Sequence, residues 1–210
     1  MEIDRLILGA FETNCYIVRR SEAAKDCVIV DTGLEAGELV SFLQGHKLNP
    51  VAVVLTHGHA DHISGVAAVR ENFRDIKVYI HKLDAEMLTG AASNLSALSG
   101  KAFSTAPADF FIAEGDTIEQ AGVKLEVFDT PGHTPGGISL YSKDEGIVFV
   151  GDALFAGSVG RTDFPNGSMH QLIKGIKEKL LTLPDETICY PGHGPTTTIA
   201  QEKTNNPFLQ

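Results

Sequence analysis

The sequence lacks tryptophan, has only three cysteines, and contains no apolar run that approaches the 18 residues of a membrane span. The cysteines are odd in number and have no CxxC spacing, which argues against a disulfide framework and indicates a reducing compartment. The N-terminal stretch MEIDRLILGAFETN carries acidic residues where a secretory signal would carry basic ones. We therefore expect a cytoplasmic protein that does not associate with membranes.

Basic residues are also scarce, since 17 lysines and arginines face 27 aspartates and glutamates, for a net charge of -10. Such a surface repels phosphate backbones, so a general nucleic-acid binder is disfavoured. The apolar content of 43% is ordinary for a globular chain of this length. Because no repeat or low-complexity linker divides the chain, we expect one domain over residues 1–210. Its oligomeric state stays open.

Short β segments at the start of each half are followed by alternating strands and helices. The apolar run VAVVL predicts a strand at 51–55 that is covered on both faces. Further strands are predicted over residues 3–8, 15–19, 27–31, 77–81, 117–119, 123–129, 137–141, 147–150 and 187–190. Helices are predicted over residues 35–44, 61–72, 169–183 and 197–203. The order predicts two central sheets flanked by helices, with a long mobile loop over 90–107 near a site.

The segment THGHADH at residues 56–62 follows the predicted strand at 51–55 and opens the next helix. Alternate residues of an extended chain point the same way, so His57 and His59 can hold one cation together. Asp61 and His62, where the chain turns into the helix, could serve a second cation. The composition gives only about 10⁻³ chance matches to HxHxDH, so we set aside the interpretation as a polar surface turn.

Three further potential ligands come just after predicted strands. His133 lies in PGHTPG, Asp152 in GD, and His193 in PGHGP. Neighbouring glycines allow close backbone approach, and functional residues tend to collect at strand ends. Each segment alone is a weak signal, but four strand ends that all carry potential ligands predict one metal site.

This order of motifs resembles the metallo-β-lactamase superfamily, and the segment Val30-Asp31-Thr32-Gly33 also matches an early segment of that family. The resemblance implies an α/β fold, an αββα four-layer sandwich with a one- or two-metal site at the edge of its two sheets. GDALFAGSVGRTDFPNGS (151–168) and the ending YPGHGPTTTIAQEKTNNPFLQ are similar to compact bacterial glyoxalase II-like hydrolases.

The resemblance also implies roles for individual residues. The ligands of metal one would be His57, His59 and His133; those of metal two would be Asp61, His62 and His193; and Asp152 would bridge both. Asp61 and Asp152 would be the catalytic carboxylates, and Asp31 would hydrogen-bond a ligand histidine and fix its tautomer. Histidine and carboxylate ligands without thiolate suit two divalent cations, zinc first, with iron or manganese as alternatives.

Two departures from glyoxalase II concern the substrate. The full-length enzyme has a C-terminal helical domain that supplies part of the glutathione pocket, and we expect this chain to be without it. Ser158 and Arg161 stand where the family's substrate loop often has Cys and Lys. Arg161 could pair with a substrate carboxylate. It could equally be a structural residue that binds loop carbonyls or Asp163.

The leading hypothesis is a hydrolase of small thioesters, S-lactoylglutathione or another hydroxyacyl-glutathione, that acts through a metal-bridging hydroxide. The alternative is a persulfide dioxygenase of the same superfamily, with one iron held by His57, His133 and Asp152, since those enzymes share the GRTDF-like loop. The tail GHGP (192–195) favours the hydrolase. A third hypothesis, a structural metal without catalysis, fits poorly because structural zinc sites are closed four-ligand cages, often with cysteine.

The remaining histidines and cysteines lack counterparts among the family's ligands. We interpret His46, His81 and His170 as surface or helix-end residues. Cys15, Cys27 and Cys189 are expected to be buried, inert thiols. Tyr190, two residues before Gly192-His193, is assigned to the core.

Overall fold

A computed structural model describes residues 1–210, the side chain of Ser99 excepted. The strands are β1 (Glu2–Leu8), β2 (Thr13–Arg19), β3 (Asp26–Val30), β4 (Asn49–Val54), β5 (Lys77–His81), β6 (Phe110–Ile112), β7 (Thr117–Gln120), β8 (Val123–Asp129), β9 (Ile138–Ser142), β10 (Ile147–Gly151), β11 (Leu154–Phe155), β12 (Ser158–Val159), β13 (Ile188–Pro191) and β14 (Thr197–Thr198). The helices are α1 (Gly37–Gly45), α2 (Ala60–Ile63), α3 (Val66–Asn72), α4 (Ala85–Thr89), α5 (Met169–Gly175) and α6 (Ile199–Asn205). A π-helical turn, Ile176–Leu180, extends α5.

Over the described residues, the strands form two six-stranded sheets and the small hairpin β11–β12. The first sheet has the order β1-β2-β3-β4-β5-β6, antiparallel up to β3 and parallel from β3 to β6. The second has the order β14-β13-β10-β9-β8-β7, in which only β10 and β13 are parallel. In the described part of the chain, none of the helices is long and apolar enough to cross a membrane.

Three apolar clusters lie between the layers, and β4 shows how the sequence separates them. Ala52 and Val54 belong to the cluster between the two sheets, whereas Val53 and Leu55 belong to the cluster beneath α1 and α3. A third cluster joins the second sheet to α5 and α6. Because side chains alternate along a strand, a buried apolar run such as VAVVL serves two cores at once. The predicted αββα sandwich is confirmed.

Several local predictions were wrong in detail. The helix predicted over 61–72 is two helices, because the chain at Gly65 packs against the segment after β3. The Gly65 N–H donates to Thr32 Oγ1 at 3.0 Å, and a Cβ at Gly65 would lie 2.7 Å from the Thr32 carbonyl oxygen. The short edge strand β6 was not predicted, and the segment 90–107 contains a 3₁₀ turn, Ser96–Ser99. The mobility of that segment and the single domain stay predictions.

The cluster between the sheets contains a group of three aromatic rings. Phe149 is fully buried there and its ring lies 5.2 Å from that of Tyr16 and 5.3 Å from that of Tyr190. We expect Phe149→Ala to lower the free energy of unfolding by about 3–5 kcal/mol, since it removes apolar contacts and leaves a cavity. Urea denaturation would measure this. The same substitution at Phe111, which is 58% exposed, should change stability by less than about 0.5 kcal/mol.

Candidate metal centre

The centre lies where the carboxyl ends of strands from both sheets meet. Parallel β3 and β4 end there in the first sheet, and parallel β10 and β13 end there in the second. β8 runs antiparallel to β9, which runs antiparallel to β10, so β8 also ends at this edge. The structure therefore brings together all seven ligands predicted from the sequence, in three overlapping sets: His57, His59 and His133; His57, His62 and Asp152; and Asp61, His62 and His193. The first of these sets is called the first group below, and the last is called the second group.

The first group consists of three buried imidazoles, those of His57, His59 and His133, whose ligand atoms lie within 4.8 Å of one another. His59 Nδ1 is 2.9 Å from His133 Nε2. Burial and the neighbouring imidazoles lower the pKa of His57 well below its usual value and that of His59 to about 3. The rings of His57 and His59 are therefore neutral at physiological pH, and each has a nitrogen lone pair that can bind a cation.

The second group contains one carboxylate and two imidazoles. His193 Nε2 is 3.1 Å from Asp61 Oδ2, and His62 Nε2 is 3.6 Å from the same oxygen. Burial alone would lower the pKa of His62, but the surrounding carboxylates, led by Asp61, outweigh it and raise that pKa to about 10. The pKa of His193 is also raised, because Asp61 and Asp152 outweigh the effect of burial.

Asp152 lies between the two groups. Its Oδ2 is 3.5 Å from both His133 Nε2 and His193 Nε2, and its Oδ1 is 3.4 Å from His62 Nε2. Among the described atoms, neither Asp152 Oδ1 nor His57 Nε2 has a hydrogen-bond partner, although both are buried. Buried polar atoms without partners are costly, and these two face nitrogen and oxygen donors that suit divalent metals. The residues present therefore fit divalent metal ions.

In three of these imidazoles, the Nδ1 atom forms a hydrogen bond to an oxygen of the protein. His62 Nδ1 donates to Asp31 Oδ2 at 2.8 Å, as predicted for Asp31. His133 Nδ1 donates to the Arg161 carbonyl at 2.8 Å, and His193 Nδ1 donates to the Phe11 carbonyl at 2.9 Å. Such partners fix the tautomer and orientation of a ligand histidine and leave Nε2 directed at the centre.

Sequence reasoning missed Asp84, a fully buried carboxylate that joins two of the ligand loops. It accepts hydrogen bonds from the Gly58 N–H at 3.0 Å, the Gly136 N–H at 2.6 Å and Thr134 Oγ1 at 2.7 Å. Gly58 lies between His57 and His59, and Thr134 follows His133. No local motif marks Asp84, since its partners are distant in sequence.

Arg161 pairs with Asp163, which is the contact expected if it is a structural residue. Its guanidinium forms two 2.7 Å hydrogen bonds to the Asp163 carboxylate and lies 4.1 Å from the centroid of the Phe164 ring. That ring in turn meets the His59 imidazole edge-on, at 5.6 Å between centroids. A substrate carboxylate at Arg161 would compete with Asp163. The role in substrate binding stays a prediction.

The other residues set aside from the sequence are outside the centre. His46 and His170 are exposed. His81 is buried, and it is a helix-end residue as expected, because it caps the 3₁₀ turn after β5 by accepting the Leu83 N–H. Tyr190 packs against Tyr16 and Phe149, as expected of a core residue. All three cysteines are buried and free, as expected, and burial raises the pKa of the thiols, to about 12 for Cys27 and Cys189.

The family model of the Metallo-beta-lactamase superfamily matches residues 8–193, which include all seven candidate ligands. The chain belongs to this superfamily. A relative described as probable metallo-hydrolase YqgX, from Bacillus subtilis, is 39% identical over 100% of this chain and 98% of its own length. Hydroxyacylglutathione hydrolase GloC from Haemophilus influenzae is 37% identical over 100% of this chain and 98% of its own length.

Solved structures of the superfamily agree with the fold. The BLEG-1 B3 metallo-beta-lactamase superposes with a TM-score of 0.94 at 40% identity, over 100% of both chains. TTHA1623 in a di-iron-bound form has a TM-score of 0.86 at 38% identity, over 98% of this chain and 100% of its own. The chain is thus a metallo-hydrolase of the metallo-β-lactamase superfamily whose His/Asp cluster suits divalent metal ions.

We expect Asp84→Asn to weaken metal binding at the first group about 10- to 100-fold, the usual cost of losing an outer partner of a metal site. Asparagine presents one acceptor oxygen where the three donors around Asp84 need two. Competition with a chromophoric chelator would measure the metal affinities of the wild type and of Asp84→Asn. The exposed Asp144→Asn is the matched control, and an unchanged affinity in Asp84→Asn would show that the two loops hold their positions without it.

Metal loading should release protons unequally at the two groups. A ligand must be deprotonated to bind a metal. With a pKa raised to about 10, His62 is protonated near pH 7 in the metal-free protein, whereas His59, with a pKa of about 3, is not. We therefore expect the second group to release at least one proton more than the first, because the pKa of His193 is raised as well, and its affinity to rise with pH up to about 10. Calorimetry in buffers of different ionisation enthalpy would count the protons; equal release at both groups would contradict the assignment.

Proposed function

We propose that this protein hydrolyses a small thioester, S-lactoylglutathione or another hydroxyacyl-glutathione, with two divalent cations held by the seven ligands. The observation that carries the proposal is the position of Asp152 within 3.5 Å of a ligand nitrogen from each group. Zinc is the first choice, with iron or manganese as alternatives. When bound, such a pair of cations lowers the pKa of a coordinated water towards 7 and polarises a substrate carbonyl.

The residues of the chain would divide the remaining tasks. His57 and His62 are essentially buried and exclude water from the inner side of the centre. Asp152 would fix the separation of the two cations, because it reaches both groups. Asp61, with a pKa lowered because His62 and His193 outweigh burial, stays ionised and would keep the second cation in place.

A thioester suits this set of residues because its leaving group needs little help. Thiols have a pKa of about 8.5, so a thiolate can depart without a dedicated general acid. The Haemophilus influenzae relative, hydroxyacylglutathione hydrolase GloC, is 37% identical over the whole of this chain, which supports a thioester of glutathione as the substrate. Glutathione as the carrier is part of the proposal.

Convergence of Asp61, His62 and His193 favours this function over the single-iron dioxygenase. A site with one iron on His57, His133 and Asp152 would leave these three donors without a metal, although their ligand atoms lie within 4.8 Å of one another. A hydrolase with two cations uses all of them.

The deciding experiment compares zinc-loaded and iron-loaded protein for release of glutathione from S-lactoylglutathione. We expect hydrolysis to require two equivalents of metal. Oxygen consumption on glutathione persulfide by the iron-loaded protein, without thioester cleavage, would establish the dioxygenase instead. Cleavage of a chromogenic β-lactam without thioester cleavage would also overturn the proposal.

Asp152→Ala should be the most damaging single ligand change, because it removes the one carboxylate shared by both groups. We expect it to lower kcat more than about 100-fold and to reduce the content of both metals. His193→Ala should reduce mainly the second metal. Elemental analysis and steady-state kinetics, with the exposed Asp144→Ala as control, would measure this. Wild-type metal content and rate in Asp152→Ala would refute the bridging role.

A further inference from the structure

The centre opens to solvent on the side of its second group. The His193 side chain is 26% exposed and that of Asp61 is 19% exposed, whereas that of His133 is 7% exposed. A substrate therefore reaches the ligands past His193. What surrounds His193 decides which chemical groups are accepted there.

A phenylalanine ring faces His193 at this opening. Phe155 lies in the hairpin β11–β12, and its ring centroid is 6.3 Å from that of the His193 imidazole. The flanking Leu154 and Val159 belong to the core beneath the hairpin. Because side chains alternate along a strand, Phe155 points away from that core and leaves a half-buried apolar ring beside the ligand.

The hairpin is fastened to the C-terminal helix α6 by a buried carboxylate. Glu202, which is 3% exposed, accepts the Gly157 N–H through Oε2 at 3.0 Å and the Thr197 hydroxyl through Oε1 at 2.6 Å. Asn206, fully buried, donates to the Ser158 carbonyl at 2.9 Å and to Glu202 Oε2 at 2.8 Å. Gly157 turns the hairpin with a φ of 72°, which favours glycine. These bonds hold Phe155 in place before any substrate arrives.

On the side of the first group, Arg161 offers no free positive charge. Arg161 is paired with Asp163 and stacked on Phe164, whose ring touches His59. An aromatic ring thus lies beside each group, Phe164 beside His59 and Phe155 beside His193, and the Arg161 guanidinium is neutralised by Asp163.

We infer that Phe155, positioned by Glu202, forms an apolar subsite that takes the acyl substituent of the substrate. The inference rests on the proposed thioester hydrolysis for the identity of that substituent. Among the hydroxyacyl-glutathiones of the proposed function, it predicts a preference for those whose acyl group carries an aliphatic or aromatic extension, and it makes Phe155 a residue that determines specificity.

The test uses non-hydrolysable thioethers in which an alkyl chain occupies the place of the acyl group. S-methyl-, S-butyl- and S-hexylglutathione would be titrated calorimetrically into the zinc-loaded protein. We expect the affinity to rise about two- to fourfold per added methylene, as for a partly to fully buried chain. In Phe155→Ala this gain should fall by at least half, with the S-methyl affinity unchanged. Phe111→Ala, the same substitution on edge strand β6 of the first sheet, should behave as wild type.

Glu202→Ala tests the positioning. Alanine removes both acceptor oxygens, so the Gly157 amide should exchange its hydrogen faster and the dependence on chain length should weaken, while the methyl compound binds as before. Phe155→Leu, which keeps an apolar side chain, should retain part of the gain and guards against a folding defect in Phe155→Ala. Affinities that do not depend on chain length, or that Phe155→Ala leaves unchanged, would overturn the subsite.

The two proposals fail in different ways. Chain-length-dependent binding without hydrolysis of any thioester would retain the subsite and remove the proposed function. Hydrolysis of S-lactoylglutathione with equal affinity for all three thioethers would do the reverse.

Discussion

The geometry of the centre depends on one buried carboxylate at the end of β3. Asp31 accepts the Thr56 N–H at 2.8 Å, the Thr56 hydroxyl at 2.7 Å and His62 Nδ1 at 2.8 Å. A buried carboxylate is tolerated only when such donors surround it. The same contacts fix the end of β4 and the start of α2 relative to each other, and thereby place the HxHxDH segment. Asp31 has a φ of 55°, a conformation in which aspartate is among the more tolerated residues.

Two more buried carboxylates also join separate segments of the chain by accepting hydrogen bonds from them. Asp84 joins the loop after β4 to the loop after β8, and Glu202 joins α6 to the hairpin β11–β12. In each case backbone N–H groups and hydroxyls, rather than lysine or arginine, supply the compensating hydrogen bonds. Loops that would otherwise be free at the edge of the sheets are therefore held by the chain itself, and the ligand side chains begin from fixed backbones.

The sequence was sufficient to predict the sandwich and the convergence of seven candidate ligand side chains, because motif spacing and strand-end position are local properties. The hydrogen bond of Asp31 followed from the resemblance to the superfamily. Asp84 and Glu202 could not be predicted, since each acts on glycine amides about 50 residues away, and a buried carboxylate looks like any surface acid in a sequence. The break in the helix at Gly65 was missed for a related reason: helical periodicity continues through it, and only the contact with Thr32 interrupts the chain.

The candidate ligands come from both sheets, and this has a consequence for folding. His57, His59, Asp61 and His62 follow β4, whereas His133, Asp152 and His193 follow strands of the second sheet. A cation held by both His57 and His133 would close a loop that contains all of the chain between them. Because it would bind the folded chain and not the unfolded one, it would stabilise the fold by an amount that rises with the concentration of free metal. The centre would then link, reversibly, the two halves of the chain, in each of which the strands pair mainly with near neighbours in the sequence.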